Sequence, residues 1–153
     1  MLRTLGGSQL NASDLIEIEL IKRLKYRYLR CLDTMLFDEL AECFAEDVTA
    51  SYADGKWSFT SRDGVMEFLR SHAGGRLSLH AAHHPEIDIV SPDSAVGIWA
   101  LEDTIFRPDG SVLHGAAHYH DTYSKKTGSW KIQSTGYRRL FEFRSTLAGP
   151  SSA

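Results

Sequence analysis

The sequence predicts a cone-shaped α+β domain in which three N-terminal helices pack into a curved, mainly antiparallel sheet. Apolar residues recur at steps of three and four over residues 16–32 and again over 37–44, which is the spacing of helices. From residue 77 onward the pattern changes to strands joined by short turns. Such turns leave no room for the crossover helices that a parallel sheet needs, so the late strands form an antiparallel meander.

The first predicted helix begins near Asp14, because Asp14 and Glu17 have the spacing of a capping box. It continues to about Leu32 and is followed by a second helix over residues 37–45. The apolar positions of the first helix should form one buried stripe, made of Ile16, Leu20, Leu24, Tyr28 and Cys31 or Leu32.

A short hairpin and a third helix complete the N-terminal half. Strands over residues 48–52 and 57–60 flank a tight turn at residues 53–56, where an Asp-Gly pair supplies the positive φ that such a turn requires. Ser61 is placed to cap a helix over residues 62–72, and Gly74 and Gly75 end it.

Five further strands are predicted in the C-terminal half, at residues 79–83, 86–91, 95–106, 112–125 and 130–143. Helices can cover only one face of such a meander. A sheet that curls around them would leave a deep pocket between the first helix and its concave face.

The chain of 153 residues fits one domain, with an arm at residues 1–12, the folded domain at 13–144 and a tail at 145–153. A net charge of −3 without a basic block argues against nucleic-acid binding. No apolar run is long enough for a membrane span, and the first ten residues lack a secretory signal, so a cytoplasmic location is expected. Cys31 and Cys43 are expected to be buried thiols rather than a disulfide or a nucleophile.

Three residues stand out as candidates for chemistry. Asp33 places a carboxylate at the end of an apolar helical stripe, although a solvated helix-end aspartate would explain it too. His80 is either a base or an ordinary core or surface histidine. Asp103 shares one strand face with the apolar residues Trp99 and Leu101, so it must be paired, line a pocket or lie at its rim.

Four segments carry a resemblance to a known family. They are residues 28–33 (Tyr-Leu-Arg-Cys-Leu-Asp), 80–87 (His-Ala-Ala-His-His-Pro-Glu-Ile), 99–103 (Trp-Ala-Leu-Glu-Asp) and 128–132 (Gly-Ser-Trp-Lys-Ile). In these segments and in the order of its elements, the chain resembles the SnoaL-like, or nuclear transport factor 2-like (NTF2-like), superfamily over about residues 13–143. Relatives include scytalone dehydratases, bile-acid dehydratases and hexachlorocyclohexane dehydrochlorinases.

The resemblance implies a catalytic set. Asp33 would hold one imidazole nitrogen of His80, and the other nitrogen would remove a proton from carbon. Tyr28 would lie near the substrate oxygen, although a plain core tyrosine is an open alternative. Residues expected to bind the substrate are His83, Trp99, Asp103, Tyr119, Tyr137 and Arg139. Arg139 should share a face with Tyr137, Phe141 and Phe143, and it could neutralise Asp103 or hold an anionic substrate group; an ordinary surface arginine is the alternative.

The implied function is that of a cofactor-independent lyase or isomerase, with dehydration favoured, acting on a hydrophobic steroid-, terpenoid- or polyketide-like molecule. One alternative is a non-catalytic small-molecule-binding or association domain, and another is the small subunit of an aromatic-ring dioxygenase. Both share the fold implied by the resemblance.

Neither a metal nor any other cofactor is expected. The histidine sets at residues 80, 83 and 84 and at 114, 118 and 120 could in principle chelate zinc or iron, but the second set is expected to face outward. The outer face of the long strands mixes apolar residues with His, Tyr and Arg, which suits a semi-polar interface. A homodimer is therefore expected, with a homotrimer as the second possibility.

Overall fold

The computed structural model describes residues 11–53 and 55–146 of the chain. Most of the predicted arm, Asp54 of the predicted turn, and residues 147–153 of the predicted tail lie outside the described residues. The first helix begins at Ala12 and the last strand ends at Thr146.

The described residues form three helices, as predicted: α1 (Ala12–Asp33), α2 (Phe37–Ala41) and α3 (Arg62–Ala73). The capping box of α1 is formed by Asn11 and Asp14 instead of Asp14 and Glu17, with the Asp14 N–H donating to the Asn11 side chain at 3.0 Å. Ser61 caps α3 as predicted and accepts from the Gly64 N–H at 3.2 Å. Helix α2 is shorter than predicted, since the chain is already extended from Phe44.

The buried face of α1 differs from the predicted stripe. Ile16 and Leu20 are 62% and 43% exposed, and the buried face begins at Ile21. It includes Lys25, which a count of apolar periodicity treats as polar. The ammonium group of Lys25 is fully buried and donates to Asp121 at 2.7 Å, so an ion pair offsets part of the cost of burying the charge.

The six strands form one curved, unclosed sheet of order β2-β1-β6-β5-β4-β3. Neighbouring strands are antiparallel except for the parallel pair β1–β6. This arrangement confirms the predicted α+β fold. The strands are β1 (Phe44–Tyr52), β2 (Trp57–Phe59), β3 (Leu77–Ser91), β4 (Ser94–Phe106), β5 (Ser111–Ser124) and β6 (Lys131–Thr146).

Strand β3 unites the two strands that were predicted at residues 79–83 and 86–91. Its register against β4 shifts between His83 and Glu86, and His84 has a positive φ of 44°. The strand therefore passes through a bulge without ending, and residues 84–85, which separate the two predicted strands, lie inside it.

A second irregularity changes which residues of β6 face the helices. Ala117 pairs with Arg139 and the adjacent Ala116 pairs with Phe141, so Leu140 is an extra residue. Beyond this bulge the alternation is inverted, and Glu142 and Arg144 line the cavity. The prediction that Phe141 and Phe143 share the face of Arg139 is therefore wrong, and both rings are exposed.

The core lies between α1 and the concave face of the sheet, and it contains a buried polar network. The Trp99 indole donates to the Tyr123 hydroxyl at 2.8 Å, and that hydroxyl donates to Asp121 at 2.8 Å. Cys31 and Cys43 are buried free thiols, as predicted. None of the described helices has the length and apolar character needed to cross a bilayer.

Candidate active site

A cavity of about 360 Å³ lies between α1, α3 and the concave face of the sheet. This volume falls within the range of small-molecule pockets. Wider grooves on the protein surface, such as one of about 730 Å³ beside β1, β2 and β6, contain neither Asp33 nor His80. Much of the wall is apolar and comes from Leu32, Phe68, Leu69, Leu101, Ile105 and Leu113.

Asp33 and His80 meet at this cavity. Asp33 is the last residue of α1, and His80 lies in β3. Nδ1 of His80 lies 2.5 Å from Oδ1 of Asp33, and the His80 backbone N–H donates to Oδ2 at 2.8 Å. The Ser78 hydroxyl adds a third hydrogen bond, to Oδ1, at 2.9 Å. The contact between the two side chains that the resemblance implies is therefore present.

The three hydrogen bonds fix the protonation pattern of the imidazole. An ionised carboxylate only accepts hydrogen bonds, so Nδ1 of His80 must carry the proton that is shared with Asp33. In the neutral imidazole, Nε2 then keeps its lone pair. The His80 and Asp33 side chains are 8% and 15% exposed, so solvent reaches this pair only slightly. The arrangement is chemically able to take a proton from a molecule in the cavity.

A second charged pair lies on the neighbouring strands. Arg139 donates to both carboxylate oxygens of Asp103, at 2.6 and 2.7 Å. Asp103 is the cross-strand partner of His80, so the pair and the histidine share one face of the sheet. Arg139 therefore neutralises Asp103, which was one of the two roles predicted for it.

Gly115 makes the approach of these two side chains possible. It is the cross-strand partner of Asp103 in β5, and a Cβ there would lie 2.7 Å from Nη1 of Arg139 and 3.1 Å from Oδ1 of Asp103. The bidentate pair thus occupies space that any other residue would fill. Sequence patterns assign glycines to turns, so they do not indicate this role inside a strand.

Phenol side chains form another part of the wall. Tyr28, Tyr119 and Tyr137 follow one another with ring centroids 6.4 and 5.9 Å apart, and Tyr52 lies 5.8 Å from Tyr137. Burial raises the pKa of Tyr28, Tyr52 and Tyr119 well above the ordinary value. These hydroxyls therefore stay protonated at neutral pH and are able to donate hydrogen bonds to an oxygen in the cavity.

Two residues predicted to bind substrate lie elsewhere. His83 is three positions from His80 along β3, so the two side chains point to opposite faces. Its side chain is 43% exposed, with Nε2 3.7 Å from Glu102. Trp99 is fully buried in the core, and its indole N–H donates a hydrogen bond to the Tyr123 hydroxyl. Neither residue lines the cavity.

The structure also brings in residues that the sequence analysis does not identify, among them Ser78, Arg76 and Arg107. Ser78 and Arg76 precede His80 by two and four positions, so the period-two alternation of a strand would have placed them on its face. All three residues lie just outside the predicted strands at 79–83 and 95–106, so the strand pattern did not predict them as part of the site.

No three His, Cys, Asp or Glu side chains cluster closely enough to hold a metal ion in the part of the chain that the structure describes. Nδ1 of His114, a member of one predicted histidine set, instead lies 2.8 Å from the Thr104 hydroxyl.

Comparison with known proteins identifies the family. The chain belongs to the SnoaL-like domain family, whose model matches residues 13–136. This confirms the predicted family. Among curated proteins, "Probable cyclase FGR4" of Gibberella zeae is 23% identical over 135 residues, which cover 80% of this chain and 90% of that protein.

Solved structures share the fold. A "Putative Scytalone Dehydratase" of Novosphingobium aromaticivorans has a TM-score of 0.80 and 25% identity, with 92% of this chain and 95% of that chain covered. The hexachlorocyclohexane dehydrochlorinase LinA-type3 of Novosphingobium barchaimii LL02 has a TM-score of 0.78 and 19% identity, with 89% and 97% covered. At that identity the second likeness establishes the common fold.

Proposed function

We propose that this protein is a cofactor-independent lyase of the dehydratase type, with isomerisation as the alternative outcome of the same proton abstraction. The observation that carries the proposal is the hydrogen bond between Asp33 and His80, because His80 lines the cavity between the helices and the sheet. The similarity to a protein described as a scytalone dehydratase and to one described as a cyclase supports this class of reaction.

His80 acts as the general base. Asp33 holds Nδ1–H, and Nε2 removes a proton from a substrate carbon. The electron pair of the broken C–H bond forms the new double bond, and the bond to a neighbouring hydroxyl breaks. Asp33 also stabilises the positive charge that His80 gains in this step, since the carboxylate is in direct contact with the ring.

Tyr28 donates a hydrogen bond to the departing or carbonyl oxygen. Because burial raises the pKa of Tyr28, its hydroxyl is a poor acid but a lasting donor. The proton that turns the leaving hydroxyl into water therefore comes from His80, which holds the proton taken from carbon. Returning it to the leaving oxygen releases water and restores the base.

The remaining residues position the substrate. Arg139 and Asp103 are held by each other, and they present a fixed polar surface next to His80. Tyr119 and Tyr137 supply aromatic faces for an apolar ring system. The substrate class that fits is a hydrophobic hydroxylated or ketonic molecule with a steroid-, terpenoid- or polyketide-like framework.

A panel of such molecules tests the proposal, with loss of water followed by mass spectrometry. For a substrate found in this way, His80→Ala should reduce turnover by about two to four orders of magnitude, the usual contribution of a general base. His83→Ala is the matched control, because that histidine faces away from the cavity and should leave turnover unchanged. If His80→Ala turns over like the wild type, His80 is not the general base; if no molecule of the panel loses water, the protein is instead a binding module.

We also propose that the protein is a homodimer. Large apolar side chains are exposed on several strands, including Val96, Ile98, Leu140, Phe141 and Phe143. Burial of such side chains between subunits would be favourable. Multi-angle light scattering at micromolar concentration should give twice the chain mass, and a monomer mass would contradict the assignment.

A further inference from the structure

The cavity carries more positive than negative charge. Its lining contains five basic side chains against two carboxylates, and the basic residues are Lys56, Arg76, Arg107, Arg139 and Arg144. Asp103 and Glu142 are the carboxylates, and Asp103 is already used by Arg139. A cavity built for a purely neutral molecule would have no need of this excess.

Arg76 and Arg107 are the two arginines of the cavity without an ion pair among the described residues. Among the described residues, neither forms an ion pair with a carboxylate, whereas the other arginines of the cavity do. Nη1 of Arg107 is buried without any hydrogen-bond partner in that part of the chain. A buried guanidinium N–H without an acceptor is costly, so its retention indicates a partner that comes from outside the protein.

The backbone places these two arginines side by side. Leu77 of β3 pairs with Phe106 of β4, and the same register continued by one residue sets Arg76 opposite Arg107. The residues next to the two arginines are also in close contact, because a Cβ at Gly75, which precedes Arg76, would lie 2.9 Å from the ring of Pro108, which follows Arg107. Like charges directly opposite each other on neighbouring strands repel.

The electrostatics of Arg76 are consistent with this proximity. Burial lowers the pKa of Arg76, and the charge of Arg107 lowers it further. Asp33 attracts Arg76 through space, but the Asp33 oxygens already accept three hydrogen bonds from Ser78 and His80. Among the described residues, neither arginine forms a hydrogen bond or an ion pair with that carboxylate.

We propose that Arg76 and Arg107 together bind an oxyanion carried by the substrate, so that the substrate is an apolar molecule with a carboxylate or a phosphate group. Two guanidinium groups side by side match the geometry of such an anion, because each donates up to two parallel hydrogen bonds. Arg76 precedes His80 by four residues on the same strand face, about 13 Å of extended chain. The anion would thus anchor one end of the molecule while His80 acts further along it. This inference rests on the proposed function only in placing the substrate in the cavity.

A matched pair of fluorescent probes tests the inference without a substrate. 8-Anilinonaphthalene-1-sulfonate and N-phenyl-1-naphthylamine share their ring system, and only the first carries an anion. Wild-type protein should bind the sulfonate at least about tenfold more tightly, in line with charge-assisted hydrogen bonds. Added sodium chloride should weaken binding of the sulfonate but not of the neutral probe. Equal affinity for the two probes would overturn the inference.

Variants assign the effect to the arginines. Arg76→Gln and Arg107→Gln should each weaken sulfonate binding about tenfold and leave binding of the neutral probe unchanged. Arg138→Gln is the matched control, since that exposed arginine lies next to Arg139 in β6 and points to the other face. Wild-type sulfonate affinity in both cavity variants would refute the assignment. Their melting temperatures should not fall, because each substitution removes a repulsion.

Competition separates the possible sources of the anion. 1-Naphthylacetate and 1-naphthyl phosphate should both displace the sulfonate probe, and the tighter one identifies the anionic group. Inorganic phosphate should compete far more weakly than either; if it competes equally well, the pair is a site for a free anion and the inference fails. His80→Ala should keep the preference for anionic probes, so a failure of the catalytic proposal is distinguishable from a failure of this one.

Discussion

Replacing Asp33 by asparagine probes the geometry of the site with the smallest change in shape. The carboxylate accepts from the Ser78 hydroxyl, from the His80 backbone N–H and from Nδ1 of the same ring, at 2.9, 2.8 and 2.5 Å. An amide has one accepting and one donating end. The backbone N–H cannot change its role, so the amide oxygen must face it. The amide NH₂ group then faces Nδ1, which has to give up its proton, and Nε2 becomes protonated and useless as a base.

The size of the effect follows from these contacts. Turning the amide the other way would leave a buried N–H without an acceptor, at about 1–3 kcal/mol. The imidazolium formed during the reaction also loses a charge-assisted hydrogen bond, worth about 1.5–3 kcal/mol. Together these terms give about 2.5–6 kcal/mol. At about 1.4 kcal/mol per tenfold, Asp33→Asn should reduce turnover by roughly two to four orders of magnitude.

Steady-state turnover of a substrate from the panel is the assay, and the melting temperature of each variant must be measured beside it. Asp38→Asn is the matched control: its carboxylate is exposed and pairs with Arg70 on the surface, so the rate should not change. Nitrogen-15 NMR of the wild type should show Nδ1 of His80 protonated, and Asp33→Asn should show the opposite tautomer. A folded Asp33→Asn protein with the wild-type rate would refute the argument.

Two further predictions concern the frame that holds the site. Lys25→Met leaves the Asp121 carboxylate buried without its charged partner, so the free energy of unfolding in urea should fall by about 3–5 kcal/mol. Combining Lys25→Met with Asp121→Asn should recover part of the lost stability. Hydrogen bonds from Lys125 and then Trp130 lower the pKa of Glu17 in the folded protein. The stability that Glu17 contributes is therefore present above its unfolded pKa of about 4.3 and is lost as the pH falls through the folded value. Glu17→Gln should reduce the dependence of the melting temperature on acid pH. An unchanged pH dependence of the melting temperature would contradict this.

Much of the fold could be predicted because hydrophobic spacing and turn residues report on local structure. Ser61, for example, has a residue type typical of a helix cap, and it caps α3. The run of alternating residues before Asp103 correctly assigns its side chain to the buried face. Such signals are local, and they are strong in helices and strands that are regular.

The features that were missed depend on contacts between distant parts of the chain. Lys25 is buried because Asp121 lies opposite it in the folded protein, and no local sequence pattern predicts that ion pair. The extra residue at Leu140 inverts the face of β6 and brings Glu142 to the cavity. One inserted residue leaves no trace in composition. The contact between Asp33 and His80 was predicted through the family resemblance, since 47 positions separate them.

Proton transfer from carbon to His80 is the central claim, and a single-turnover isotope experiment tests it most directly. With enzyme in excess, product release does not limit the rate that is observed. The labelled substrate carries deuterium on the carbon that loses its proton, which is adjacent to the carbon bearing the leaving hydroxyl. It should react more slowly than its hydrogen-bearing counterpart in the wild type, and both should be nearly inert with His80→Ala. Equal rates for the two substrates in the wild type, together with an undiminished rate in His80→Ala, would contradict the account.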